Sequence, residues 1–292
     1  MRIVLIGAAG QLGTALNARL PGVVIPLGRD ALDIADAARV ADVLTKSQPD
    51  LVINAAAYNF VDRAEDESDR ACAVNALGPR NLAETCASLD IPLVHVSTDY
   101  VFGQDAGRRI PFTESDVPGP LSEYARSKLA GENFVRNGCP RHFVVRTCGL
   151  YGRASSPGKG NFVETMLRLG RERGSVSVVD DQLCTPTSAA DLADAIARMI
   201  TTNAYGLYHA TNSGSTTWCG FATEIFRQAD LSVDVKPITT TQFGARAARP
   251  AYSVLDSSKL AATIGRPLRA WQDALADYLR SREITRTDGR SA

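Results

Sequence analysis

The chain has 292 residues, enough for one large domain or two smaller ones sharing an interface. Its 32 basic and 32 acidic residues cancel, which excludes a global field that recruits nucleic acid or an anionic membrane. Six cysteines form no Cys-x-x-Cys pair, and with only three histidines there is no zinc pattern; no metal is expected, and the thiols read as small buried side chains of a reducing compartment.

Apolar residues begin at Ile3 with no cationic leader or long apolar run, so the expected location is the cytoplasm. Ile3-Val4-Leu5-Ile6, closed by Gly7, has the pattern of a strand buried on both faces. A helix is expected from Gln11 toward Leu20 and a second strand over Val23 to Leu27. Val40, Val43 and Leu44 predict a helix from Asp36 to Lys46, and Leu51-Val52-Ile53 a third strand. A long helical stretch follows from about Glu67 to Leu89, kinked or interrupted by Pro79. Leu93 to Val96 predicts a fourth strand, Ser122 to Val135 a helix, and Phe143 to Val145 a fifth strand.

Strands alternating with helices predict an α/β fold built on a doubly wound parallel sheet over residues 1–150. Beyond 150 the alternation loosens. Residues 154–160 read as a flexible loop, and the polar tail past about Glu283 is expected to fray. Residues 151–292 are expected to form mainly a smaller mixed α/β domain closing over the first, with some segments returning to it.

Gly7-Ala8-Ala9-Gly10-Gln11-Leu12-Gly13 joins the first strand to the first helix. Glycine there permits a tight turn and lets a pyrophosphate approach backbone N–H groups at the positive helix end, while Gly13 lets the helix pack closely on the sheet. The spacing is G-x-x-G-x-x-G rather than G-x-G-x-x-G, so a purely structural turn stays open. Asn54-Ala55-Ala56-Ala57 follows the third strand and leaves room for a cofactor across the strand ends; helix–sheet packing explains such small residues equally well. After the second strand, Arg29 suits a 2′-phosphate and Asp30 a free ribose hydroxyl, with Asp33-Ile34 close behind. The expected cofactor is NADPH, with NADH as the alternative.

Tyr124 and Lys128 are four residues apart on a predicted helix and share one face. A free phenol titrates near 10, and an adjacent ammonium brings it toward neutrality. Lysine also suits the nicotinamide ribose hydroxyls. Thr98 lies at the end of the fourth strand, at the rim where α/β sheets bind ligands, and its hydroxyl suits a substrate carbonyl; alternatively it caps a turn.

Gly7 to Gly13, Asn54-Ala-Ala-Ala, Ser97-Thr-Asp-Tyr-Val-Phe, Tyr124-x-x-x-Lys128 and Arg146-Thr147 together resemble the extended short-chain dehydrogenase/reductases, built on a Rossmann sheet. Further matches, at Gly160-Asn161-Phe162, Asp181-Gln182, Thr185-Pro186-Thr187, Gly206-Leu207-Tyr208-His209 and Arg249-Pro250, narrow this to the dTDP-4-dehydrorhamnose reductase family. The resemblance implies NAD(P)H-dependent reduction of the 4-keto group of dTDP-4-dehydro-L-rhamnose. It implies that Tyr124 protonates the alkoxide, that Lys128 holds the ribose and tunes Tyr124, and that Thr98 orients the carbonyl. Gly10, Gln11, Leu12, Asp33, Ile34 and Ala55 to Ala57 match cofactor positions, while Asp99 and Tyr100 border the sugar. Arg249 is a candidate for the nucleotide diphosphate, or else a surface arginine.

Two positions depart from the family. Gly149 stands where members commonly carry a tryptophan that contacts the sugar. Ala15 stands where some carry a glutamate that helps bind a dimer-bridging magnesium, so a monomer or a metal-free homodimer is expected. The rival readings are a reductase or epimerase of another nucleotide-linked 4-keto-deoxysugar and a non-catalytic dinucleotide-binding regulatory subunit. A dehydratase is disfavoured because Asp99 is followed by the aromatic Tyr100 rather than a second acid.

Overall fold

The structure is a computed structural model that describes residues 1–154 and 160–288, with backbone alone from 283. Its first half alternates strictly. Strand β1 (Arg2–Ile6) leads to helix α1 (Gln11–Asn17), β2 (Val23–Leu27) to α2 (Ala37–Ser47), and β3 (Leu51–Asn54) to α3 (Ser68–Cys72) and α4 (Gly78–Ser88). Next come β4 (Leu93–Thr98), α5 (Glu123–Gly138) and β5 (His142–Thr147). The second half holds β6 (Leu150–Tyr151), α6 (Phe162–Arg173), β7 (Ser175–Val179), β8 (Leu183–Cys184), β9 (Thr187–Ser188), α7 (Ala189–Met199) and β10 (Gly206–His209). It ends with β11 (Thr216–Thr217), α8 (Trp218–Gln228), β12 (Asp234–Ile238), α9 (Thr240–Phe243), α10 (Ser258–Ile264) and α11 (Trp271–Asp288).

Six strands form one parallel sheet in the order β10-β5-β4-β3-β1-β2. The chain winds one way from β1 to β2 and the other way from β3 onward, so the switch point lies between β1 and β3. Alternate strand residues face opposite layers, which is why the strands read as unbroken apolar runs. Ile3, Leu5, Ile53, Val94 and Val145 meet Leu12 and Leu16 of α1, Leu192 and Ile196 of α7, and Leu260 of α10. Val4, Ile6, Val52, Leu93 and Val144 meet Val40 and Leu44 of α2, Leu82 of α4 and Val135 of α5. The expected doubly wound α/β fold is the observed one.

A separate core joins Tyr151, α6, β7, α8 and α11, with Phe221 and Trp271 at its centre. It is backed by short strand pairs, β12 beside β7 in parallel and β11 against β8 in antiparallel. Of the expected loop over 154–160, residues 155–159 lie outside the described residues. The chain past Glu283 is helical as far as Asp288 rather than frayed, and residues 289–292 lie outside the described residues.

The helix expected from Glu67 to Leu89 runs from Ser68 to Ser88, and its α-helical pattern is interrupted in the turn just before Pro79. Between α3 and α4 the chain takes a π-helical turn over Ala73–Leu77, and Pro79 sits in the first turn of α4. The wide turn carries Asn75 inward, and α5 closes on it at Gly131, where a Cβ would lie 2.1 Å from the Asn75 carbonyl oxygen.

Candidate active site

The carboxyl ends of β1, β3 and β4 build one rim. Gly7 has φ +77°, and a Cβ there would lie 2.6 Å from the Ala56 amide nitrogen, so the turns after β1 and β3 touch backbone to backbone. Gly13 packs as tightly, with a Cβ position 2.2 Å from the Gly7 carbonyl oxygen. No side chain caps α1 at Gly10, which leaves its first N–H groups to a ligand, and the buried Gln11 Oε1 has no hydrogen-bond partner. Leu12 is buried beneath the turn, and Ala55 to Ala57 keep the β3 side of the crevice shallow. A pyrophosphate fits this cradle.

Beyond β2, Arg29 and Asp30 are exposed, while Asp33 accepts from the Ala35 amide at 3.0 Å. Ile34 is buried against Gly78, and Asn81 Nδ2 donates to its carbonyl at 3.0 Å, so this loop is held at the rim by α4.

Asn54 links the crevice to the next strand. Its Oδ1 accepts from the Ala56 amide at 3.1 Å, so its Nδ2 is the donor to His95 Nδ1, 3.2 Å away. His95 therefore carries its proton on Nε2. Burial, reinforced by the nearby Lys128, holds this imidazole neutral, well below its usual range.

Ser122 caps α5 by accepting from the Ala125 amide at 3.3 Å, and Tyr124 and Lys128 follow on one face. Lys128 is 2% exposed and donates to the Val96 carbonyl at 2.7 Å. Burial pulls its ammonium down to about 8, against an opposing pull from Glu132. Burial drives the Tyr124 phenol above its usual value; the Thr98 hydroxyl pulls it back and Asp99 adds to the rise. Lys128 shares this face of α5 with Tyr124, and its ammonium is directed at the β4 backbone.

Thr98 ends β4 beside Thr147 of β5. Its Oγ1 accepts from the Tyr100 amide at 3.2 Å, capping the turn Asp99–Val101, and donates to Asp99 Oδ1 at 3.1 Å. Asp99 is buried under this turn near Cys148 and Ser253, and burial raises its carboxyl above the usual range. Tyr100 packs edge-on against Tyr124 with ring centroids 5.9 Å apart. Arg249 lies beside Tyr100 and forms a two-pronged pair with Asp62, at 3.1 and 2.8 Å. It thus ties the second half of the chain to the segment after β3, and it is not an ordinary surface arginine.

Several residues at the site were not picked out from the sequence. Asn75 exchanges hydrogen bonds with the Tyr58 backbone, at 2.8 and 3.1 Å, and donates to Ser127 Oγ, one residue before Lys128. Trp218 covers Gly149: a Cβ at 149 would lie 3.4 Å from the indole Cη2. Glu132 is the fully buried partner of Arg146. Only Glu132 left a local signal, being one helical turn past Lys128; the others meet through the fold.

A glycine turn at a switch point, with a buried tyrosine–lysine helix over the neighbouring strand end, marks the class of extended short-chain dehydrogenase/reductases. The chain belongs to the family described as the RmlD substrate binding domain, which matches residues 1–284. The dTDP-4-dehydrorhamnose reductase of Streptomyces griseus is 43% identical over 288 residues, covering 94% of this chain and 92% of that protein. The probable dTDP-4,6-dihydroxy-2-methyloxan-3-one 4-ketoreductase of Streptomyces antibioticus is 41% identical over 283 residues, covering 95% of this chain and 94% of that protein. The crystal structure of dTDP-4-dehydrorhamnose reductase from Bacillus anthracis str. Ames in complex with NADP matches with a TM-score of 0.91 and 40% identity, covering 96% of this chain and 99% of that one.

Proposed function

We propose that this protein is an NADPH-dependent reductase that converts the 4-keto group of dTDP-4-dehydro-L-rhamnose to the alcohol, giving dTDP-L-rhamnose. The observation that carries the reading is the placement of the Tyr124 phenol, buried in the first turn of α5 beside the Thr98 hydroxyl and edge-on to Tyr100. A phenol that keeps its proton at neutral pH is a donor, as reduction of a carbonyl requires.

Bound NADPH supplies the hydride that reduces the carbonyl carbon. Tyr124 gives its proton to the oxygen as it becomes an alkoxide. Thr98 orients that oxygen, its hydroxyl hydrogen turning from Asp99 Oδ1, 3.1 Å away, to the substrate. Lys128 holds the nicotinamide ribose. The turn Gly7, Gly10, Gln11, Leu12, Gly13 receives the pyrophosphate, Ala55 to Ala57 and Asp33-Ile34 border the cofactor, and Arg29 faces its 2′-phosphate. Asp99 and Tyr100 border the sugar, and Arg249, poised against Asp62, meets the diphosphate.

Residues 1–150 serve mainly the cofactor and residues 151–292 mainly the nucleotide-sugar. No helix among the described residues is long and apolar enough to cross a membrane. We place the protein in the cytoplasm as a monomer or a homodimer without bridging metal, since Ala15 offers no ligand. Gly149, together with the Streptomyces antibioticus relative, favours as second reading a reductase of another nucleotide-linked 4-keto-deoxysugar.

The test follows nicotinamide absorbance with dTDP-4-dehydro-L-rhamnose and both reduced cofactors, beside Tyr124→Phe. Turnover is expected with NADPH preferred, and Tyr124→Phe is expected to lose about 10²–10⁴-fold in kcat while still binding cofactor. Bound cofactor without turnover of this sugar, but with turnover of another keto-sugar, selects the second reading.

A further inference from the structure

Beneath the reacting groups lies a buried ionic cluster that the proposed reaction does not use. Arg146 Nε approaches the two Glu132 carboxylate oxygens at 3.0 and 3.1 Å, and Nη2 donates to Oε2 at 2.7 Å. Its Nη1 reaches His209 Nε2 at 3.4 Å, and the guanidinium lies over the Phe102 ring at 5.0 Å. His209 Nδ1 faces the Phe112 carbonyl at 2.9 Å, so it is the protonated nitrogen and Nε2 accepts from Arg146. On the other side, Ser97 Oγ donates to Glu132 Oε1 at 2.5 Å. Ser97 immediately precedes Thr98, and Glu132 follows Lys128 by one helical turn.

We propose that Glu132 is a positioning residue for this site: its carboxylate tethers the strand end that presents Thr98 and serves as countercharge to the Lys128 ammonium. This rests on the reductase reading, in which Lys128 works as a cation. The charged and titratable groups around Lys128 are Tyr124 and Glu132 on α5, His95 on β4, Asp99 beyond Tyr124, and Arg146 on β5 behind Glu132. Of these, burial lowers the His95 imidazole and raises the Tyr124 phenol and the Asp99 carboxyl. Glu132 follows Lys128 by one turn on the same face of α5 and pairs with Arg146. Its pull opposes the burial that lowers the Lys128 ammonium to about 8. A pair this deep adds little net stability over apolar packing, so a role in setting the site accounts for it better than a role in holding the fold.

The experiment compares wild type, Glu132→Gln, Glu132→Asp and the double variant Glu132→Gln/Arg146→Met, which removes the unpaired guanidinium that could unfold the single variant. Folding is checked by circular dichroism. Two readouts are taken against pH: kcat and KM for the keto-sugar, and the affinity for NADPH alone by fluorescence. Losing the anion should move the alkaline limb of both profiles down by about one pH unit in Glu132→Gln. It should lower kcat about twofold at pH 7, rising toward about tenfold by pH 9, with KM for the sugar little changed, and Glu132→Asp should restore the limb. The double variant should shift in the same direction by less. Folded variants with the wild-type limb in both readouts would overturn the proposal and leave Glu132 a fold element. Absence of sugar turnover in the wild type would instead sink the reductase reading, while the cofactor-affinity profile would still decide the role of Glu132.

Discussion

Gly149 is covered by an aromatic side chain from another element. With φ +52° it occupies the left-handed region, and a Cβ would lie 3.2 Å from Pro186 Cα and 3.4 Å from the Trp218 ring. A side chain there would therefore meet both strain and a neighbour. Gly149→Ala is expected to cost about 1 kcal/mol or more, read as a lowered denaturation midpoint with an unchanged slope. An unaltered midpoint would mean that the turn relaxes freely. Trp218 comes from the start of α8 and is half-buried, packed at a tilt of 51° against Phe162 with centroids 4.8 Å apart. It presents an aromatic face two residues beyond Thr147, the strand neighbour of Thr98. Trp218→Ala is expected to raise KM for the nucleotide-sugar about tenfold, leaving NADPH affinity as it is; an equal loss in both would place the indole in the fold rather than in the sugar site.

At the scale of elements, the helix that carries Tyr124 is located by the π-helical turn before α4. Asn75, at the centre of that turn, is fully satisfied by Tyr58 and Ser127, so three contacts fix α5 against the segment after β3. Asn75→Ala would leave the buried Tyr58 amide and the Ser127 hydroxyl without these partners. About 2–3 kcal/mol of stability should go, and kcat should fall as Tyr124 loses its anchoring. Unchanged urea unfolding would contradict this. Such a device is hard to read in advance: Asn75 and Ser127 are 52 positions apart, and an extra residue in a helical turn leaves no periodic trace. Strands β1 to β5 were legible because both of their faces are buried and apolar runs report that directly. The Tyr124–Lys128 face was legible from helical spacing alone. The direction of the Lys128 ammonium was not, because it is set by the Val96 carbonyl on another element.

Across the whole molecule, all three histidines are held neutral. Burial lowers His95 well below its usual value, lowers His142 to a lesser degree, and together with Arg146 brings His209 down to about 3. Their Nδ1 atoms engage Asn54, the Cys139 carbonyl and the Phe112 carbonyl, so the rings join the sheet to its surroundings as neutral groups. In the unfolded chain each titrates at about 6.5, so below that pH the unfolded state binds protons that the folded state refuses. Stability from this source is complete above about pH 6.5 and is lost as pH falls below it. Asp99 acts in the opposite sense, because its raised folded value lets the native state bind a proton before the unfolded one does. Half-buried His142 contributes a fraction, which leaves a net uptake of about one to two protons on unfolding between roughly pH 6.5 and 4.5. That corresponds to a slope of about 1.4–2.7 kcal/mol per pH unit. Chemical denaturation across this range measures it directly. A flat profile would mean that the interior admits a charged imidazole. His209→Gln should lessen the slope by about one proton, because the glutamine amide can still face both Arg146 and the Phe112 carbonyl without a group that titrates.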